Sequence, residues 1–258
     1  MDIKIIVAAH KKAEMPFDPC YLPLHVGKAG KESIGYTGDD TGDNISAKNP
    51  SFCELTGIYW AWKNLKADYV GLVHYRRIFV HRLRLIQAER WRSVCSKEDY
   101  ERLLEKADVV LPSKRHYYIE TTRSQYEHAH NPHDLVVVEQ VISELYPDAM
   151  DAFKKVMNCT SGHRFNMFVM RHDIFSDYCD FIFSILFEME KRVDISNYNS
   201  YNRRLFGFVG ERLMDVWLEY NDINYVEQSV AFMGDINWPR KIYEFLKRKI
   251  SGGVNYEK

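Results

Sequence analysis

Hydrophobic positions along this chain follow two rhythms. Short β-branched runs without a helical period mark buried strands, and apolar residues spaced three and four apart mark amphipathic helices. Ile3–Ala9 is such a run and predicts an opening strand that ends on the small residues Ala8 and Ala9 before His10. Small residues there let a ligand approach the backbone, which makes His10 a candidate contact. Residues 11–32 contain Pro16, Pro19 and Pro23 with no clear period and read as a long loop. Ser33–Tyr36 reads as a second short strand, followed over 35–44 by a polar turn rich in Gly and Asp. Phe52, Leu55, Tyr59 and Trp62 then recur at helical spacing and predict a helix over about 50–66. Asn49 suits its cap, Pro50 its first position, and Ser51 with Glu54 has capping-box spacing.

The run 68–73 is the next strand, and strands or helices then alternate to the end. Residues 96–107, 135–145, 173–190 and 207–220 predict helices; 108–111, 164–170 and 224–231 predict strands. Asp134 sits where the helix 135–145 needs an N-cap. This order predicts an α/β fold, a mixed and mostly parallel sheet flanked by helices.

The strand 68–73 stops abruptly at His74-Tyr75-Arg76-Arg77. In open α/β sheets, ligands bind beyond the carboxyl ends of strands, and paired guanidiniums suit a phosphate. The region around it is unusually basic: residues 76–92 hold six Arg against one acid, Glu89, in a chain of net charge −1. That overall balance gives no reason to expect nucleic acid as a partner. The 258 residues are 46% hydrophobic, enough for one large soluble domain. Five Cys without a Cys-x-x-Cys pair read as reduced thiols of a cytosolic protein. No signal peptide or spanning segment is visible.

Several common sites are excluded. Neither Gly-x-Gly-x-x-Gly nor a Walker-type loop is present, nor is Gly-x-Ser-x-Gly. His128, His130 and His133 begin a metallohydrolase-like pattern, but Pro132 stands where its acid belongs and Asp134 comes after the last His. Asp-x-Asp, the metal-holding pair of many nucleotide-sugar transferases, is missing. A diphosphate leaving group still needs positive charge. Two readings stay open: Arg76, Arg77 and His74 supply it directly, or His74 joins Asp39, Asp40 or Asp43 around a divalent metal (Mn or Mg).

The stretches Asp43–Asn49, Glu54–Asn64, Gly71–Arg77 and Phe206–Leu213 resemble a bacterial capsular and exopolysaccharide biosynthesis family, long described as a domain of unknown function, whose characterised members are galactosyl and galactofuranosyl transferases. The resemblance covers about 3–233 and implies a GT-A-like fold. It points to Asn44, Lys48, Asn49, Glu54, Tyr59 and Trp60 near a nucleotide sugar, and to His74, Tyr75, Arg76 and Arg77 at its diphosphate. Asn166, in Arg164-Phe165-Asn166-Met167, is similar to a donor-side Phe-Asn strand of some GT-A enzymes.

The expected function is hexosyl transfer, of galactose in pyranose or furanose form, from a UDP donor to a lipid-diphosphate-linked glycan of capsule, exopolysaccharide or lipopolysaccharide. An acceptor hydroxyl needs a base. Glu211 is the first candidate and Asp134, beside His133, the second. The rival readings are a non-catalytic nucleotide- or carbohydrate-binding module and, more remotely, the His-rich metallohydrolase. The domain is expected over 1–238, and 239–258 as a basic tail. Residues 239–250 carry five cations against Glu244, with Ile242, Phe245, Leu246 and Ile250 on one helical face. That pattern suits the anionic inner face of a cell membrane.

Overall fold

The structure, a computed structural model, describes residues 1–234. The basic stretch 239–250 lies outside them. In chain order the strands are β1 (Ile3–Ala9), β2 (Tyr21–His25), β3 (Thr37–Gly38), β4 (Tyr69–His74), β5 (Arg77–Phe79), β6 (Val109–Pro112), β7 (Arg115–His116), β8 (Ser161–Gly162), β9 (Phe168–Arg171), β10 (Tyr225–Gln228) and β11 (Val230–Phe232). The α-helices are α1 (Asn49–Phe52), α2 (Leu55–Asn64), α3 (Gln87–Arg92), α4 (Lys97–Leu104), α5 (Thr122–Ala129), α6 (Pro132–Leu145), α7 (Met150–Asn158), α8 (His172–Arg192) and α9 (Leu205–Tyr220).

The main path of the sheet runs β10-β6-β9-β4-β1-β2-β3. β4, β1, β2 and β3 are mutually parallel, as are β6 and β10; β9 alone runs against its neighbours on this path. β5 leaves β4 at a tight turn and pairs with β11. The result is the mixed, mostly parallel sheet that the pattern predicts.

Residues on alternate sides of each strand enter different cores, as a period of two requires. Ile6, Ala8, Val70, Leu72, Val109, Leu111, Phe168 and Met170 face the larger core with α2, α6, α8 and α9. Ile5, Val7, Val73, Val110 and Val169 face a smaller core with β5, α4 and β11. Gly71 lets β9 approach β4: a Cβ there would stand 2.8 Å from the Phe168 carbonyl oxygen and from Val169 Cγ2. Because β9 is reversed, its amino end lies beside the carboxyl ends of β1 and β4, with Leu72 opposite Phe168.

The structure corrects several sequence-based expectations. The supposed loop 11–32 contains β2, hidden by Pro23. That proline is tolerated because the outer neighbour β3 pairs only with Leu24 and His25. Ser33–Tyr36 is irregular, and the strand is displaced to β3. The helix expected over 50–66 is broken at Cys53 (φ 54°, ψ −133°) into α1 and α2. The Ser51–Glu54 capping box does not form, because Ser51 donates to the Lys48 carbonyl at 3.2 Å and Glu54 turns to Asn166. Asn49 is the first residue of α1 and not its cap. Asn131, not Asp134, caps α6, its side chain accepting from the His133 amide at 3.1 Å. The strand expected over 164–170 is shortened to β9 by a turn at Phe165 and Asn166, and the last strand is split into β10 and β11.

Candidate functional site

A cleft of about 910 Å³ opens where β1 and β4 end and β9 begins. Its walls are the β4–β5 turn, the α1–α2 junction, the residues before β9, and the start of α9. Lys31, Arg76, Arg77, Arg115, Arg164, Arg204 and Arg212 line it against only Glu54 and Glu211. A concave surface with this imbalance concentrates field and draws anions.

Two of these cations are fixed in the protein. Arg164 meets Asp215 Oδ2 at 3.0 Å and donates to the Tyr117 hydroxyl at 2.7 Å. Arg212 meets Glu211 Oε2 at 3.0 Å and donates to Gln125 Oε1 at 2.9 Å. Among the described residues, no carboxylate pairs with Lys31, Arg76, Arg77, Arg115 or Arg204. Arg76 is exposed and stands over the Tyr75 ring at 5.1 Å. Arg77 is half-buried over Phe165 at 4.5 Å, and burial lowers its pKa from the ordinary range while Glu211 and Glu54 oppose the shift.

Phe165 is the hub of the cleft. Phe165 (φ 81°) and Asn166 (φ 52°) are consecutive left-handed residues, an uncommon state for a bulky side chain. The Phe165 amide donates to Glu211 Oε1 at 3.1 Å. The Asn166 amide group donates to Glu54 Oε1 at 2.7 Å and to the Gly207 carbonyl at 3.2 Å. Each cleft carboxylate therefore holds one residue of the turn. His74 Nε2 lies 2.6 Å from the Phe165 carbonyl. A carbonyl oxygen only accepts, so Nε2 carries a proton. Sequence reasoning missed Phe165; its only signal was its place beside Asn166.

The cleft brings together His10, Asn49, Glu54, His74, Tyr75, Arg76, Arg77 and Glu211. Asn166 sits directly behind it through Glu54. The other candidates lie elsewhere. Asn44 closes its own turn, donating to the Gly42 carbonyl at 2.9 Å. Lys48 pairs with Glu190 at 2.6 Å. Tyr59 donates to Asp43 at 3.2 Å among Trp62, Phe183 and Phe187, and the buried Trp60 donates to Thr41 at 2.9 Å. His133 is exposed on the first turn of α6. Asp134 is buried, accepts from Tyr198 at 2.6 Å and Tyr126 at 3.1 Å, and does not line the cleft.

Several of the groups considered for a metal are engaged elsewhere. Asp39 is fully buried and already accepts from the Gly27 and Lys28 amides and from the Thr56 and Ser46 hydroxyls. The three histidines of the 128–133 stretch separate: His128 meets Glu120 at 2.6 Å, His130 is buried among rings, and His133 is exposed. Among the described residues, no three His, Cys, Asp or Glu side chains converge on a point that would hold a metal ion.

Residues 4–222 match the family described as a domain of unknown function (DUF4422). The chain belongs to that family. It is also similar to the apo structure of WbbM, a bifunctional glycosyltransferase, at 32% identity, with a TM-score of 0.84, over 91% of this chain and 46% of WbbM. The chain thus spans about half the length of WbbM. No curated protein matches it. The DUF4422 match begins inside β1 and ends just past α9, so it contains every residue that lines the cleft.

Proposed function

We propose that this DUF4422 protein is a glycosyltransferase of GT-A-like architecture. It moves a hexose, galactose in pyranose or furanose form, from a UDP-sugar to a growing capsular, exopolysaccharide or lipopolysaccharide glycan. The observation that carries the reading is the cleft at the strand ends, where cations without acidic partners face the space a nucleotide diphosphate would need. The likeness to WbbM supports the same class. Arg76, Arg77 and His74 neutralise the diphosphate as it departs, a task otherwise given to a metal. His10 and Tyr75, whose rings meet edge-on at 5.2 Å, border the nucleotide side. Glu211 takes the acceptor proton: it lines the cleft, and each of its oxygens holds one donor and has capacity for a second. Asp134 instead accepts from Tyr126 and Tyr198, and His133 is exposed on α6.

The acceptor is a glycan carried on a lipid diphosphate, and the protein works in the cytoplasm. The test is UDP release from a panel of UDP-hexoses with and without such an acceptor, in chelator and then with Mn or Mg. Acceptor-dependent release in chelator is expected. No release with any donor would leave only the binding-module reading.

A further inference from the structure

Two loops that leave the cleft wall expose apolar side chains to water. Between β5 and α3, Leu83, Leu85 and Ile86 are 62%, 93% and 62% exposed. After β7, Tyr118 and Ile119 are 85% and 96% exposed. Exposed apolar clusters of this kind mark contact surfaces. In the first loop the apolar residues are interleaved with the cations Arg82 and Arg84; in the second, Arg115 of β7 precedes them and Glu120 follows. Among the described residues, none of these three arginines has an acidic partner.

The first loop is held in this outward pose. His81 donates its amide to the Ser93 carbonyl at 2.9 Å, and Arg90 reaches the Leu85 carbonyl at 3.3 Å and the Phe232 carbonyl. Those bonds tie the backbone down and leave the side chains of Leu83, Leu85 and Ile86 facing solvent.

We propose that these loops form the surface by which the protein docks on an anionic lipid bilayer. Charge complementarity selects that occupant. A wholly apolar face would suit another protein, but alternating Leu and Arg matches the acyl boundary and the headgroup phosphates at once. The placement matters for the acceptor. Leu83 lies six residues beyond the cleft-lining Arg77, at most about 20 Å of extended chain. Ile119 lies two residues beyond the cleft-lining Tyr117. Docking would hold the cleft beside a lipid-borne substrate; that purpose rests on the function proposed above, whereas the docking itself does not.

The experiment is co-sedimentation of the full chain with vesicles of phosphatidylcholine alone or doped with phosphatidylglycerol. The wild type should bind the doped vesicles at low salt and leave the neutral ones in solution. Arg82→Gln with Arg84→Gln should lower partitioning roughly 30-fold, at about 1 kcal/mol per cation. Leu83→Ser with Leu85→Ser and Ile86→Ser should abolish it at an unchanged melting temperature. Absence of wild-type binding would overturn the proposal. So would full binding by the loop variants, which would place attachment in another segment such as 239–250. A wild-type dimer that the serine variant splits, without lipid binding, would make the surface a contact between copies. UDP release measured in parallel on a soluble acceptor tests the transferase reading separately, so failure of one does not entail failure of the other.

Discussion

Glu211 Oε1 accepts the backbone amide of Phe165 at 3.1 Å, a bond between the first turns of α9 and the left-handed turn before β9. One carboxylate thus supports the turn that orients His74 and Arg77 and also faces the cleft. Glu211→Gln keeps an oxygen for the Phe165 amide but loses the charge that meets Arg212. We expect turnover to fall about 100- to 10,000-fold with the far-UV spectrum unchanged. Full turnover by this variant would remove Glu211 as the base.

Arg76 and Arg77 present charge to the cleft without a described acidic partner. Losing a charge-assisted contact to a departing diphosphate costs on the order of 2–4 kcal/mol, about 30- to 1000-fold in rate. Arg76→Ala and Arg77→Ala should each lower kcat/KM within that range, and Arg77→Ala should weaken UDP binding more because its guanidinium is partly desolvated over Phe165. Wild-type kinetics in both variants would contradict the assignment.

His130 packs against Phe208 at a centroid distance of 4.1 Å and against Tyr201 at 5.4 Å. Burial first, then Arg212, pulls its pKa down to about 4. The unfolded chain therefore binds a proton near pH 6.5 that the folded protein refuses until about 4. Stability from this group is complete above pH 6.5 and is lost as pH falls towards 4. Urea unfolding at pH 7 and pH 5 should show a loss on the order of 1–2 kcal/mol in the wild type that His130→Phe lacks. An equal loss in both proteins would assign the acid sensitivity to other groups.

Gly71→Ala puts a methyl 2.8 Å from the Phe168 carbonyl in the middle of the sheet. Backbone cannot yield as a side chain can, so we expect destabilisation of about 1–3 kcal/mol in denaturant melts. A melt indistinguishable from wild type would mean that β9 shifts freely against β4.

The layered fold was legible because its strands are short, apolar and β-branched, and because Ser96 and the apolar spacing after it announce α4, where the capping box with Asp99 forms. β2 was not, since Pro23 in a five-residue strand mimics a loop. The break at Cys53 was hidden as well: Phe52, Leu55 and Tyr59 keep helical spacing across it, and a single left-handed residue leaves no mark on hydrophobicity. At the site, strand-end cations were readable because charge after an apolar run is a local signal. Arg164, Arg204, Arg212 and His130 were not, because they reach the cleft only through tertiary packing. The stretch Asn44–Lys48 is the converse case: Asn44 and Lys48 follow the family pattern but do not line the cleft, one closing a turn and the other pairing with Glu190.

The reversed strand β9 lies between β4 and β6 although Tyr69 and its partner Arg171 are about a hundred residues apart in sequence. During synthesis β4 therefore emerges with one edge bare, and it stays bare for roughly 5–20 s at ordinary ribosomal rates. In that interval the apolar strand Tyr69–His74 is a template for wrong pairing. The cleft has the same history: His74, Arg76 and Arg77 acquire their opposite wall only when Phe165 arrives ahead of β9. A nascent chain arrested before residue 171 would expose a sticky sheet edge and hold no assembled site, so binding competence and escape from aggregation arise in one late step.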